Sequence, residues 1–155
     1  MNKIILLALT FFATSSYAQS PIGFCKKIEG HAHTIMYFRN GNDTPRNKIE
    51  SQLSQSAARP YLSTETKKWF NITLNEAYKS KWSSKNYKIP TNAAYNPNAR
   101  PQDYAAQYFK EEIYNKCISE ASPDSRYCSD EANEARTNPQ IPKSYRARLN
   151  GLCLS

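Results

Sequence analysis

Apolar side chains recur at intervals of three and four residues over most of the chain, which is the spacing of an amphipathic helix. Between Phe24 and Asn40 the apolar positions are Cys25, Ile28, Ala32, Ile35 and Met36. Gly41 follows directly and predicts the end of this helix, because glycine commonly occupies the residue after the last helical one.

The same spacing predicts further helices along the rest of the chain. Their predicted starts are Thr44-Pro45, Ser63 or Thr64, Gln102 or Asp103, Ser129 and the residues after Pro142. These starts carry the side chains and prolines that are common at helix N-termini. Strand-like alternation is sustained nowhere. The pattern therefore predicts an all-α fold, a small disulfide-stapled bundle of four to six helices.

Two stretches interrupt the helical pattern. Residues 83–101 have no periodic apolar positions and contain Pro90 and Pro97, which predicts a long loop. Residues 122–155 begin with Ser122-Pro123-Asp124, which breaks the preceding helix, and form a tail that contains two cysteines. We expect both stretches to belong to a single helical domain over residues 19–155.

The N-terminus has the pattern of a secretory signal peptide. A short basic start is followed by an apolar run over residues 4–13 and by small residues at Ser16 and Ala18, which predicts cleavage between Ala18 and Gln19. Removing residues 1–18, which hold one lysine and no acid, lowers the formal charge from +8 to +7. No second apolar run long enough for a transmembrane helix follows. We therefore expect a soluble protein that is periplasmic or extracellular.

Four cysteines remain after the predicted cleavage, namely Cys25, Cys117, Cys128 and Cys153. An even number in an exported chain indicates disulfides, and four cysteines leave three pairings open. We favour Cys25–Cys117, which would tie the first helix to the last long one, and Cys128–Cys153, which would close the tail. The absence of a C-x-x-C motif argues against thioredoxin-like chemistry and a paired-cysteine zinc site.

Basic residues concentrate between Glu76 and Asp103, a stretch without any acid. The predicted basic-aromatic binding surface consists of Lys79, Lys81, Trp82, Lys85, Tyr87, Lys88 and Arg100. Such a surface attracts anionic partners, and basic residues interleaved with aromatic ones also suit single-stranded nucleic acid. Because the protein is expected to be exported, we expect a protein or an anionic envelope component as the partner and no nucleic acid. The alternative is that these charges only keep the protein soluble.

Candidates for catalysis or metal binding are few. The two histidines, His31 and His33, are two residues apart, so on one regular helix they point about 200° apart and do not chelate one metal. No nucleophile-elbow motif, P-loop or dinucleotide fingerprint occurs. We therefore expect no metal, no cofactor and no enzymatic activity, although spacing alone does not exclude a catalytic triad.

Three stretches carry a resemblance: Cys25 with Ile35-Met36-Tyr37-Phe38-Arg39-Asn40-Gly41, then Ala77-Tyr78, then Phe109 with Ile113-Tyr114-Asn115-Lys116-Cys117. They resemble a group of small uncharacterised exported helical proteins of Gram-negative bacteria. The resemblance covers residues 25–117 and supports pairing of Cys25 with Cys117, but it implies no activity. The chain departs from the group by the insertion at 83–101 and by the tail at 122–155.

The sequence favours an exported binding protein of unknown specificity. The sharpest version is an immunity or inhibitor protein that acts on an exported hydrolase or toxin. Size, export, helices and disulfides fit periplasmic immunity proteins, although none of their motifs occurs here. The alternatives are a structural envelope protein and a small hydrolytic enzyme with an unrecognised site.

Overall fold

The computed structural model describes residues 19–55, 63–89, 91 and 99–153. Within these ranges it contains six α-helices, two short 3₁₀ turns and no strand, so the predicted all-α fold is confirmed. The helices are α1 (Pro21–Asn42), α2 (Arg46–Gln55), α3 (Thr64–Ala77), α4 (Pro101–Glu120), α5 (Cys128–Thr137) and α6 (Lys143–Cys153). The predicted signal peptide, and Pro90 and Pro97 of the predicted loop, lie outside the described residues. No described helix is long and apolar enough to cross a membrane.

Helix α1 is longer than the apolar pattern predicts at both ends. It begins at Pro21, where the Ser20 side chain accepts a hydrogen bond from the backbone N–H of Gly23 at 3.1 Å. Gly41 lies inside the helix, so the predicted end at Gly41 was wrong. Asp43 terminates the helix instead with a left-handed backbone (φ 47°), and its N–H donates to the carbonyl of Phe38. Aspartate adopts this conformation more readily than most residues, because its short polar side chain bonds locally.

Helices α1 and α4 form the centre of the bundle and run antiparallel. Cys25 near the start of α1 is bonded to Cys117 near the end of α4, and Glu29 lies 3.9 Å from Lys110 further along the pair. Helix α3 packs against α1, whereas α5 and α6 pack together and α6 also touches α4. The largest fully buried apolar side chains are Ile28, Met36, Leu74, Phe109, Ile113, Ile118, Ile141 and Leu149. Together they form one continuous core.

Both predicted disulfides are confirmed. Cys25–Cys117 joins residues 92 apart in sequence, and Cys128–Cys153 joins residues 25 apart. In the chain-entropy model the first bridge contributes about 4–5 kcal/mol to stability and the second about 3 kcal/mol. The first therefore holds the central helix pair together, while the second joins the first residue of α5 to the last residue of α6.

A buried acid anchors this tail to the rest of the domain. Glu131 on α5 is 1% exposed; one carboxylate oxygen accepts the backbone N–H of Ile22 at 2.9 Å, and the other accepts the hydroxyl of Tyr145. The Ile22 N–H lies in the first turn of α1, where it has no partner within its own helix. Glu131 thus links α5, α6 and the start of α1. Sequence analysis missed this residue, whose only signal was its place four residues before Ala135 on the buried face of α5.

Candidate binding surface

The chain that leaves α3 is fixed on the bundle by two aromatic rings. After Ala77 it forms a 3₁₀ turn over Ser80–Trp82, and a further turn places Tyr87 so that its N–H donates to the Ser83 carbonyl at 2.8 Å. The Trp82 ring contacts Phe109 edge-on at 5.2 Å between centroids and stacks on Tyr87 at 5.6 Å with 15° between the planes. Residues 83–89, which we call the basic segment, are therefore held against α4.

Trp82 was predicted to lie on the binding surface, but the structure buries it. It is 5% exposed, and its backbone carbonyl accepts a hydrogen bond from the Asn40 side chain at 2.8 Å. A ring of this size stabilises the fold chiefly by burying apolar area. Trp82 is consequently an anchor beneath the basic segment, and its ring is not available to a partner.

Tyr87 lies half in the core. Burial, followed by the nearby Tyr108 and Glu111, raises the pKa of the Tyr87 hydroxyl to about 12. Neither this hydroxyl nor the indole N–H of Trp82 has a hydrogen-bond partner among the described residues. The hydroxyl is neutral at physiological pH, so Tyr87 contributes packing and no charge.

Three of the predicted basic residues are paired with acids. Lys79 lies 2.7 Å from Glu76, Lys81 lies 2.9 Å from Glu112, and Arg100 lies 3.2 Å from Asp103. These pairs are solvent-exposed, so each contributes little to stability, but each acid reduces the local positive potential. The Lys81 ammonium nitrogen also lies 4.9 Å from the centroid of the Trp82 ring. The surface is therefore less basic than the acid-free stretch of sequence implies.

Arg100 has a local role at the start of α4. Its backbone N–H donates to the Asp103 carboxylate at 2.8 Å, and its guanidinium bonds the same side chain. The hydrogen bonds from Arg100 keep the pKa of Asp103 below its usual value, with a smaller contribution from the nearby His33. Arg100 is thus part of a helix cap, separate from the ring stack that holds the basic segment.

Lys85 and Lys88 remain as outward-facing charges. Both side chains are exposed, and within the described part of the chain no ion pair involves either one. Ile89 beside them is 42% exposed, an unusual position for a large apolar side chain. The basic segment therefore presents two positive charges and one apolar side chain to solvent.

The two histidines lie in different environments. His31 packs against Phe70 with 4.8 Å between ring centroids, and burial, followed by the charge of Lys27, lowers its pKa. His33 is exposed. Across the described residues, no three side chains of the His, Cys, Asp and Glu types are grouped so that they could hold a metal ion.

Three of the residues that carry the sequence resemblance, Arg39, Ala77 and Tyr78, meet where α1 and α3 end. The Arg39 guanidinium donates to the carbonyl of Ala77 and lies 5.1 Å above the Tyr78 ring. The Tyr78 hydroxyl in turn donates to the carbonyl of Thr44 at 2.5 Å. These contacts tie the end of α1 and the α1–α2 connection to the end of α3, which gives the motif a structural role.

Of the predicted basic-aromatic surface, Lys85 and Lys88 keep outward-facing charges without a partner acid among the described residues, and Ile89 adds an exposed apolar side chain beside them. Trp82 and Tyr87 hold these residues in place, while Lys79, Lys81 and Arg100 carry partner acids. Comparison with known proteins adds no functional assignment: no family model, no curated protein and no solved structure matches this chain.

Proposed function

We propose that this is an exported binding protein that contacts an acidic protein partner through the basic segment. The observation that carries the proposal is the anchoring of residues 83–89 by the Trp82–Tyr87 stack while Lys85 and Lys88 face solvent. A segment that is ordered before binding loses less conformational entropy on association. The two lysines supply attraction to an acidic surface, and Ile89 supplies an apolar contact.

Export to the periplasm or cell exterior is part of the proposal. The N-terminal signal pattern supports it, and two disulfides without a free cysteine among the described residues suit an oxidising compartment. Mass spectrometry of the mature protein under non-reducing conditions should give a chain that begins at Gln19 and holds no free thiol. A chain that retains residues 1–18 would contradict cleavage.

The sharpest form of the proposal is an inhibitor or immunity protein for an exported hydrolase or toxin. A hydrolase cleft commonly contains carboxylates that act as acid, base or nucleophile, and these attract a projecting pair of lysines. The two disulfides suit this role as well, because they stabilise the folded scaffold against unfolding. The proposal therefore predicts loss of hydrolase activity when the two proteins are mixed.

Charge reversal tests the surface. The Lys85→Glu/Lys88→Glu variant should lose capture of the partner from periplasmic extract, with recovery reduced at least tenfold. The matched control is Lys27→Glu/Lys143→Glu, which changes the net charge equally at exposed positions on the first half of α1 and on α6. Quantitative mass spectrometry of the captured proteins measures the effect, and equal recovery by both variants and the wild type would remove the basic segment from the proposal.

An anionic envelope polymer would give a different result. Its repeated charges bind through net charge, so both double variants should then lose sedimentation with cell-envelope fragments to a similar extent. A protein partner predicts that the control variant binds normally. The pair of variants therefore separates a specific protein partner from the alternative of a structural envelope component.

A further inference from the structure

The two disulfides differ sharply in exposure. Cys25 is 0% and Cys117 is 2% exposed, whereas Cys128 and Cys153 are both partly exposed. Thiol–disulfide exchange requires a thiolate to reach one of the bonded sulfurs. We propose that Cys128–Cys153 is a reducible latch: an external dithiol opens it selectively, which releases the α5–α6 tail while the Cys25–Cys117 core stays closed.

The latch closes the two ends of the tail. Cys128 is the first residue of α5 and Cys153 is the last described residue of α6. The polypeptide between them forms a closed ring only through this bond. Cleavage of the bond leaves α5 and α6 joined by their short connection, by packing and by the Glu131–Tyr145 hydrogen bond. Their outer ends then lack a covalent tie, so the tail opens more often.

The tail docks on the start of α1 and the end of α4 through the apolar side chains of Ile141, Tyr145 and Leu149, which belong to the common core, and through few polar contacts. Besides the buried Glu131–Ile22 hydrogen bond, Lys26 pairs with Glu134 at 2.7 Å. Arg148 donates to the carbonyls of Ser119 and Ala121 at 3.2 and 3.0 Å. The Lys26–Glu134 pair is exposed and contributes little. Glu131 is therefore the polar contact on which docking of the opened tail chiefly depends.

Docking also shields the inner bridge. Ile22 lies one helical turn before Cys25, and Ser119 lies two residues after Cys117, so the tail covers the end of the bundle that holds Cys25–Cys117. Release of the tail exposes that end to solvent. The geometry therefore orders the reduction of the two bonds, with the tail bond first and the core bond only after the tail has moved.

The chemistry requires a dithiol reductant. Its thiolate attacks one sulfur of Cys128–Cys153, which breaks the protein disulfide, forms a mixed disulfide and expels the other cysteine as a thiolate. The second thiol of the reductant then attacks the mixed disulfide and frees the first cysteine. Two electrons pass from the dithiol, which becomes a cyclic disulfide, and its two protons end on Cys128 and Cys153.

Reduction with limiting dithiothreitol followed by alkylation and peptide mapping tests the order. We expect Cys128 and Cys153 to be labelled first in the full-length oxidised protein, with Cys25 and Cys117 labelled at least tenfold more slowly. Simultaneous labelling of all four cysteines, or earlier labelling of Cys25 and Cys117, would overturn the latch.

Two variants test the coupling between docking and reduction. Glu131→Gln should accelerate labelling of Cys25 and Cys117 severalfold after the tail bond has opened, whereas Glu120→Gln, an exposed acid on α4, should leave it unchanged. Equal rates in the two variants would show that Glu131 does not hold the opened tail.

Hydrogen exchange of the selectively reduced wild type gives a separate readout of tail release. Amides of residues 128–153 should exchange faster, and so should the Ile22 amide, whose acceptor is Glu131. The other amides of α1 and those of α4 should keep their protection. Unchanged exchange in the tail, or loss of protection in all helices, would contradict release of the tail from an intact core.

Discussion

Two buried tyrosines offer the same substitution with opposite expected effects. Tyr114 is 2% and Tyr145 is 0% exposed. The hydroxyl of Tyr114 has no hydrogen-bond partner among the described residues, whereas that of Tyr145 donates to Glu131. Replacing each tyrosine with phenylalanine removes only the hydroxyl. We expect Tyr114→Phe to stabilise the protein and Tyr145→Phe to destabilise it.

The magnitudes follow from what each hydroxyl loses on folding. A buried polar group without a partner costs about 1–3 kcal/mol, so Tyr114→Phe should raise the free energy of unfolding by about 1 kcal/mol or more. A hydrogen bond to a carboxylate contributes about 1.5–3 kcal/mol, and Tyr145→Phe also leaves one oxygen of buried Glu131 without its donor. The two variants should therefore differ in stability by about 3 kcal/mol or more.

Urea denaturation of the oxidised proteins, followed by far-ultraviolet circular dichroism, measures both free energies. The denaturant slope should stay unchanged, because neither substitution alters the area exposed on unfolding. If Tyr114→Phe lowers the free energy of unfolding by about 1 kcal/mol or more, the contribution of a typical hydrogen bond, the Tyr114 hydroxyl has a hydrogen-bond partner in solution. A neutral Tyr145→Phe would refute the buried hydrogen bond by which Tyr145 of α6 binds Glu131 of α5.

Two further predictions follow from the pKa values and from the exposed lysines. Burial raises the pKa of Tyr87 and Tyr114 to about 12, whereas tyrosine in an unfolded chain has a pKa of about 10. The free energy of unfolding should therefore fall as pH rises from about 10 to about 12, because only the unfolded state loses these protons in that range. Tyrosinate absorbance should show a late titration step that is absent from the Tyr87→Phe and Tyr114→Phe variants. Limited trypsin treatment should cleave first between Lys85 and Arg100, at the exposed Lys88, which lies beyond the ring of Tyr87 that anchors the basic segment. The fragments should stay joined in denaturant until reductant opens Cys25–Cys117. Early cleavage within α3, or fragments that separate without reductant, would contradict the second prediction.

Much of the helical fold was predictable because its signal is local. All five apolar positions expected on α1, from Cys25 to Met36, are buried. The Ser63 cap of α3 is also as expected, since its side chain accepts the N–H of Thr66 at 3.1 Å. Apolar spacing is less informative near helix ends, where Leu152 is 41% exposed although it follows Tyr145 and Leu149 at helical intervals. Leu152 lies in the last turn of α6, one residue before the helix ends at Cys153.

The candidate site was harder to predict because one of its charges is balanced by a distant residue and its aromatic rings pack on a distant helix. Between Glu76 and Asp103 the sequence has no acid, yet Lys81 pairs with Glu112, 31 residues away. The stacking of Trp82 on Tyr87 and its contact with Phe109 also depend on how α4 passes beneath the turn. A linear count of basic and aromatic residues does not contain these contacts. It therefore overestimates the charge of the surface and assigns a buried ring to it.

The remaining charge bears on how a partner would be selected. Two exposed lysines act over about 8–10 Å at physiological ionic strength, which speeds encounter with any acidic surface but discriminates weakly among such surfaces. Discrimination then depends on the part of the interface that excludes water, and Ile89 is the large apolar side chain that the basic segment exposes. Under the proposed function, Ile89→Ser should raise the dissociation rate with little change in the association rate, whereas Lys85→Glu should chiefly lower the association rate. Surface plasmon resonance separates the two rates, and equal effects of both substitutions on association would mean that charge alone determines binding.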